Sequence, residues 1–214
     1  MSMWNHPAYV NEQARQIIET SATGGAAYGR LQAEGSAWSR GTPYGDIAAE
    51  YALEAASWFA RECGPSAVVC CAGCNDGLEM ETFERAGLTV KGFDLDPEKV
   101  RVAAACGLDA RVGDIHAPPY EPGTFDAVFC SHTLEHCVDR EKAVLALLRL
   151  VRPRGLVFIA VPIDKGQPYY NPSHTGWFES RAQVEALFAG AAVLYVDTRM
   201  KSDEQLVLVA RRAP

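Results

Sequence analysis

From Ser66 onward the chain alternates short apolar runs with amphipathic stretches in a regular order. Ala67–Cys71 is a continuous apolar run of strand length, and Gly77–Ala86 carries the spacing of a helix. Thr89–Phe93 then reads as a strand and Pro97–Cys106 as a helix that opens on proline. Ala110–Val112 is a short strand, and Phe125–Cys130 is an apolar strand followed by a helix from about Arg140 to Leu150. Leu156–Val161 is a strand, Ser180–Phe188 a helix, and Ala192–Thr198 and Gln205–Arg211 are the last two strands. Apolar strands interleaved with helices predict a mainly parallel sheet covered on both faces. Only a short polar turn, Met200–Glu204, separates the last two strands, so they should pair as an antiparallel hairpin. The expected fold class is therefore α/β: a doubly wound, Rossmann-like seven-stranded sheet, mainly parallel, with an antiparallel last strand.

The first 65 residues are less regular and are expected to form a helical N-terminal cap or lid on the same domain, with 66–214 as its nucleotide-binding part. Helices are predicted over Pro7–Glu19 and Tyr44–Arg61, the second carrying Ile47, Tyr51, Leu53, Ala55, Trp58 and Phe59. Between them Gly24-Gly25, Gly29, Gly35 and Gly41-Thr42-Pro43 mark loops. That connecting stretch carries many aromatic and cationic groups for a mere linker (Tyr28, Arg30, Trp38, Arg40, Tyr44), which suit either a lid or a loop anchored by its aromatics.

Composition narrows the class. The chain has 214 residues, enough for one well-buried domain, and a net charge of −7, which argues against a nucleic-acid partner. No apolar run approaches the 18 residues of a membrane span, and the N-terminus lacks the basic and apolar regions of a signal peptide. Seven cysteines, several in predicted buried strands, suit reduced thiols, so a cytoplasmic location is expected.

Four chemical features fall at the carboxyl ends of successive strands, where open α/β sheets bind ligands. They are the turn Gly73-Cys74-Asn75-Asp76-Gly77, the acid Asp94 with Leu95-Asp96-Pro97, the segment Gly113-Asp114-Ile115, and Cys130-Ser131-His132-Thr133-Leu134-Glu135-His136. A strand, a glycine turn, a helix and a strand ending on an acid make a nucleotide-binding half-fold, in which the acid accepts hydrogen bonds from ribose hydroxyls. Asp76 in the turn and Glu79 in the following helix disfavour a pyrophosphate at that helix start.

In this order the motifs resemble those of the class I S-adenosylmethionine-dependent methyltransferases of the small-molecule type, over roughly Ser66 to Val161. The resemblance extends to Leu147–Gly155, which is similar to the family's "LRVLKPGG" turn into strand five. It implies S-adenosyl-L-methionine as cofactor, S-adenosyl-L-homocysteine as product, and a small-molecule O, N or C nucleophile as acceptor. It assigns cofactor binding to Gly73, Cys74, Asn75, Gly77, Asp94, Leu95, Asp114, Ile115, Cys130 and Ser131, with Asp114 facing the adenine amine and Ile115 against its ring. Two residues depart from the pattern: Cys71 stands where the family has a strand-one acid, and Asn75 where the turn has its central glycine. Asparagine tolerates positive φ, so the turn should survive.

The candidate catalytic bases are His132, beside the expected methyl position, and His174, in Asn171–Phe178 after strand five, with Tyr169, Tyr170, Trp177 and Phe178 as pocket walls. No metal is expected. Glu135 and His136 remain a possible divalent-metal pair, since the similar motif is thought to play that part in some ubiquinone-pathway O-methyltransferases. Cys71-Ala72-Gly73-Cys74 also has the spacing of a redox pair, which leaves the downstream motifs unexplained, and His132–His136 that of an inverted zincin, which needs a helix where this segment follows a strand end. The other classes left open are a cofactor-binding protein without methyl transfer, a nucleotide-dependent oxidoreductase, and a methyltransferase acting on RNA or protein. Oligomeric state is not legible.

Overall fold

The computed structural model describes residues 43–163, 174–202 and 205–214. The helix expected over Pro7–Glu19, and Tyr28, Arg30, Trp38, Arg40, Tyr169 and Tyr170, lie outside the described residues.

Helix α1 (Pro43–Cys63) buries Ala48, Tyr51, Ala52, Ala55, Ala56 and Phe59, a stripe with the spacing of one helical face. It packs through Phe59 on the sheet, against Phe158, and on the next helix, against Phe83. The alternating elements that follow are β1 (Val68–Ala72), α2 (Leu78–Arg85), β2 (Thr89–Asp94), α3 (Pro97–Ala105), β3 (Ala110–Val112) and β4 (Phe125–Ser131). A 3-10 turn (Leu134–His136) precedes α4 (Arg140–Leu150), β5 (Val151–Pro162), α5 (Arg181–Ala186), β6 (Val193–Ser202) and β7 (Gln205–Arg212). Helix starts follow capping chemistry: Asp96 accepts from Glu98 N ahead of Pro97, Asp139 from Lys142 N, and Ser180 from Gln183 N.

The seven strands are ordered β3-β2-β1-β4-β5-β7-β6, with β7 antiparallel to both neighbours and the other pairs parallel. This is the expected sheet. The order reverses between β1 and β4, which opens the ligand crevice beyond their carboxyl ends. Side chains alternate across β1, so Cys70 joins the core with Cys130, Leu147 and Phe178, while Cys71 joins Tyr51, Phe83 and Phe129 on the opposite face.

Several boundaries differ from expectation, three of them with a readable cause. Strand β5 begins at Val151, directly after α4, because Val151 already pairs with Phe125; the stretch before Leu156 pairs with Ala127 is irregular, and in it Arg154 has φ 66 where the family motif has a glycine. A Cβ at the next residue, Gly155, would lie 2.7 Å from Asp126 O, so the glycine is needed there for close backbone approach. Helix α5 stops at Ala186, its last turn tightening as Leu187 N donates to Val184 O. Met200 and Ser202, expected in the final turn, instead pair with Leu206 and Gln205.

Candidate functional site

The glycine turn is held by the neighbouring strand. Gly73 N and Cys74 N both donate to Phe93 O, at 2.9 and 3.0 Å, and Gly77 N donates to Cys74 O at 2.9 Å. Gly73, Asn75 and Gly77 have φ of 72, 48 and 84, so asparagine does occupy the left-handed region at the turn's centre. A Cβ on Gly73 would meet Thr133 Oγ1 at 2.3 Å; one on Gly77 would meet Leu108 Cδ1 at the same distance. The first glycine thus lets the turn pack against the segment after β4, and the second lets α2 begin beside α3.

Asp94 ends β2 and is 9% exposed. Its Oδ2 accepts from Asn75 N and its Oδ1 from Asp96 N, both at 2.9 Å. Burial raises its pKa, opposed by these two backbone bonds. One acceptor site is used on each oxygen, so the carboxylate can still take two hydroxyl donors. Leu95, half-buried, follows it. Asp114 is exposed, whereas Ile115 is packed in the core cluster with Phe93 and Leu134. Of the β4 residues, Cys130 is wholly buried and its thiol is pushed up to about 12 by burial. Next to it Ser131 Oγ is buried with no hydrogen-bond partner among the described residues.

His132 has φ 48 and donates its N–H to Ala160 O at 2.9 Å. Its ring lies 5.7 Å from that of Tyr51 on α1, whose hydroxyl donates to Gln205 Oε1. His132 Nδ1 is 3.5 Å from Oε1 of Glu135, a carboxylate only 1% exposed. Burial alone would raise the Glu135 pKa, but the His132 hydrogen bond and the charges of His136, His132 and His174 outweigh it and hold the group at about 2. His174 stacks edge-on to His136 at 4.7 Å; burial, then the His136 charge, lowers it to about 3. The structure therefore brings both predicted base candidates to one buried carboxylate. Glu135, His136 and His174 each offer a ligand atom within 4.8 Å of one another, a set that could hold a metal ion, and Glu135 Oε2 is buried without a hydrogen-bond partner among the described residues.

Several contributors were not foreseen. Arg140, 5% exposed, donates to Leu134 O at 3.0 Å and Glu135 O at 3.4 Å and lies over the Phe178 ring. Thr175 N and Oγ1 also donate to Glu135 O, and Thr175 Oγ1 to Cys137 O at 2.7 Å. These bonds weld the segment after β4 to the segment before α5. A buried arginine that reaches six residues back to a carbonyl has no sequence signature, so this latch was invisible. His116, which binds Asp114, was also missed. Phe178 is core rather than pocket wall, at 0% exposure.

Neither competing motif has its required structure. All seven cysteines are free, and burial pushes Cys70, Cys71 and Cys74 well above the ordinary thiol range, so no thiolate is available for exchange or zinc. His132 precedes a three-residue 3-10 turn and does not share a helix with His136, as a zincin requires.

A doubly wound sheet with this turn, acid and post-β4 segment defines a nucleoside-cofactor domain. Residues 70–159 match the family model "Methyltransferase domain". A ubiquinone biosynthesis O-methyltransferase from Ralstonia nicotianae is 41% identical over 95 residues, 41% of this chain and 40% of that protein. The chain thus matches about two-fifths of the length of such curated relatives. Among solved structures, the Burkholderia thailandensis 1,6-didemethyltoxoflavin-N1-methyltransferase with bound S-adenosylhomocysteine superposes with a TM-score of 0.62 at 22% identity, covering 76% of this chain and 79% of that one. The [4+2]-cyclase SpnF gives 0.66 at 14% identity, covering 75% and 80%. Over residues 70–159 the chain is thus similar to the methyltransferase domain, and its fold is that of S-adenosylmethionine-dependent methyltransferases. Among the described residues no helix is long and apolar enough to cross a membrane.

Proposed function

We propose that this chain moves the methyl group of S-adenosylmethionine to a hydroxyl oxygen of a small-molecule acceptor, with His132 as general base. The cofactor residues fit that group: a backbone-lined turn without pyrophosphate chemistry, an anchored acid for the ribose, and a buried Ser131 hydroxyl with acceptor and donor capacity to spare. When bound, the cofactor supplies an electrophilic methyl on a cationic sulfonium. The Gly73–Gly77 turn, Asp94, Leu95, Asp114 and Ser131 hold and orient it, so that catalysis comes chiefly from positioning.

The observation that carries the base assignment is the His132–Glu135 contact. A carboxylate at Nδ1 sets that nitrogen as the protonated one and makes Nε2 the basic nitrogen. His174 is the poorer base, since burial and His136 hold it at about 3. The named relatives act on oxygen, which agrees with a hydroxyl acceptor. The test is tritium transfer from labelled S-adenosylmethionine to a panel of hydroxylated, aminated and carbon-nucleophile small molecules, with RNA and cell protein as separate arms. His132→Ala should lower kcat on a hydroxyl acceptor by about 10²–10⁴-fold with unchanged S-adenosylhomocysteine affinity. A few-fold loss for both His132→Ala and His174→Ala would refute a histidine base, and binding without turnover on any arm would leave the fold as a cofactor-binding protein.

The Glu135–His136–His174 set favours a second reading, in which a divalent cation polarises the acceptor hydroxyl. Stoichiometric Mn²⁺ or Zn²⁺ binding by calorimetry, lost in His174→Ala, and activity abolished by chelation would select it over the base.

A further inference from the structure

Asp114 carries a partner that neither the family motif nor the cofactor reading assigns. Its Oδ1 accepts from His116 N at 2.8 Å and lies 2.7 Å from His116 Nδ1. On the far side of the same ring, Nε2 accepts the backbone N–H of Asp139 at 3.4 Å. Asp139 is itself fixed as the cap of α4, its Oδ1 accepting from Lys142 N at 2.9 Å.

These contacts determine the hydrogen-bond sense of the whole chain. Nε2 faces a donor, so in the neutral ring the proton sits on Nδ1 and points at Asp114. Oδ1 is then occupied by two donors, and the carboxylate plane is fixed between the β3–β4 loop and the start of α4. The acceptor left is Oδ2. The short bond from His116, the largest influence on the carboxyl, also lowers its pKa and keeps it ionised. The side chain of His116 is 14% exposed and that of Asp114 51%, so the ring lies inside and the acid faces outward with its free edge.

An anchored, ionised acceptor accepts N–H and repels a carbonyl. Resting on the reading of Asp114 as the adenine residue, we propose that His116 is a positioning residue for purine selection: it locks Asp114 as an acceptor-only group, so that the site takes a 6-amino purine nucleoside and rejects a 6-oxo one. Without the ring, the half-exposed carboxylate can rotate toward solvent, and the penalty against a 6-oxo base weakens.

The test is calorimetric titration of the full chain with S-adenosylhomocysteine and with its deaminated analogue, S-inosylhomocysteine, read as the ratio of the two dissociation constants. The unsubstituted protein should favour the amino form by at least about tenfold. His116→Ala should cut that ratio by about fivefold, the scale of one ordinary hydrogen bond. His116→Asn, whose amide can again present an N–H to Oδ1, should restore it, which a merely structural role would not predict. Asp114→Asn should abolish the preference, because its amide can turn an N–H toward a carbonyl. An unchanged ratio in a folded His116→Ala overturns the proposal alone. An unchanged ratio in Asp114→Asn, or no binding of either ligand by the unsubstituted protein, overturns the adenine reading and the proposal with it.

Discussion

The contact between Gly73 and Thr133 makes a quantitative prediction. Gly73→Ala forces an alanine to φ 72, at a cost of about 1–2 kcal/mol. Its Cβ would also stand 2.3 Å from Thr133 Oγ1 and 2.7 Å from Cγ2. Relieving that overlap in a packed site costs about 1–3 kcal/mol. The substitution should therefore destabilise by about 2–5 kcal/mol, a large share of the 5–15 kcal/mol typical of a domain. Thr133→Ala alone removes the hydroxyl bond to Ser131 O and should cost about 1 kcal/mol. In the double variant only the contact at 3.1 Å to Cβ remains, so most of the steric cost disappears. Urea unfolding at 25 °C should give a double variant about 1–2 kcal/mol more stable than the sum of the single effects predicts. Additivity within about 0.5 kcal/mol would refute the packing of the turn against the post-β4 segment.

Three further outcomes follow from the site. Asp94→Asn disturbs a carboxylate bonded to Asn75 N and Asp96 N and should weaken S-adenosylhomocysteine binding by about 10-fold or more in calorimetry; retained affinity would remove Asp94 from the ribose site. A thiol reagent should label exposed Cys106 fast and half-buried Cys63 slowly, with the other five reacting only on unfolding; early reaction of Cys71 or Cys74 would revive the redox pair. His174 has a folded pKa of about 3 against 6.5, so between those values the unfolded chain takes up the proton more readily and stability falls as pH falls. With chelator present, denaturation midpoints should decline across that window, and His174→Phe should flatten the decline.

Most of the fold was legible because its signals are local. Strand-length apolar runs, Pro97 after Asp96, and glycines at the turn each act within a few residues, and they placed β1 to β4 almost to the residue. The errors lie where distant chain decides. Strand β6 runs on to Ser202 because β7 offers partners for Met200 and Ser202, which their polar neighbours conceal. The glycine turn and Asp94 were readable as motifs, but the contacts that hold the proposed site together were not. His132 finds Glu135 through a left-handed backbone, Asp114 finds His116 through a tight loop, and Arg140 reaches back to two carbonyls. Each depends on backbone geometry that residue type alone does not encode. The described part of the expected cap, Pro43–Cys63, is a sheet-packed helix, since its apolar stripe matches a core face as readily as a lid.

The place of β7 between β5 and β6 bears on how the molecule is made. Strands β1 to β4 pair with one another and present the turn, Asp94 and Ser131, so this half of the sheet needs nothing beyond the chain leading to Ser131 for its ladder. Among the described residues strand β6, by contrast, pairs only with β7, the strand synthesised after it. A growing chain that has emitted β6 but not Leu206–Ala210 leaves two open edges, one on β5 and one on β6, each lined with unpaired amides. That interval is when the protein is most exposed to misassociation with other nascent chains. A short cut-back within β7 should therefore convert a folding protein into an aggregating one while its ligand-binding strands remain fully encoded.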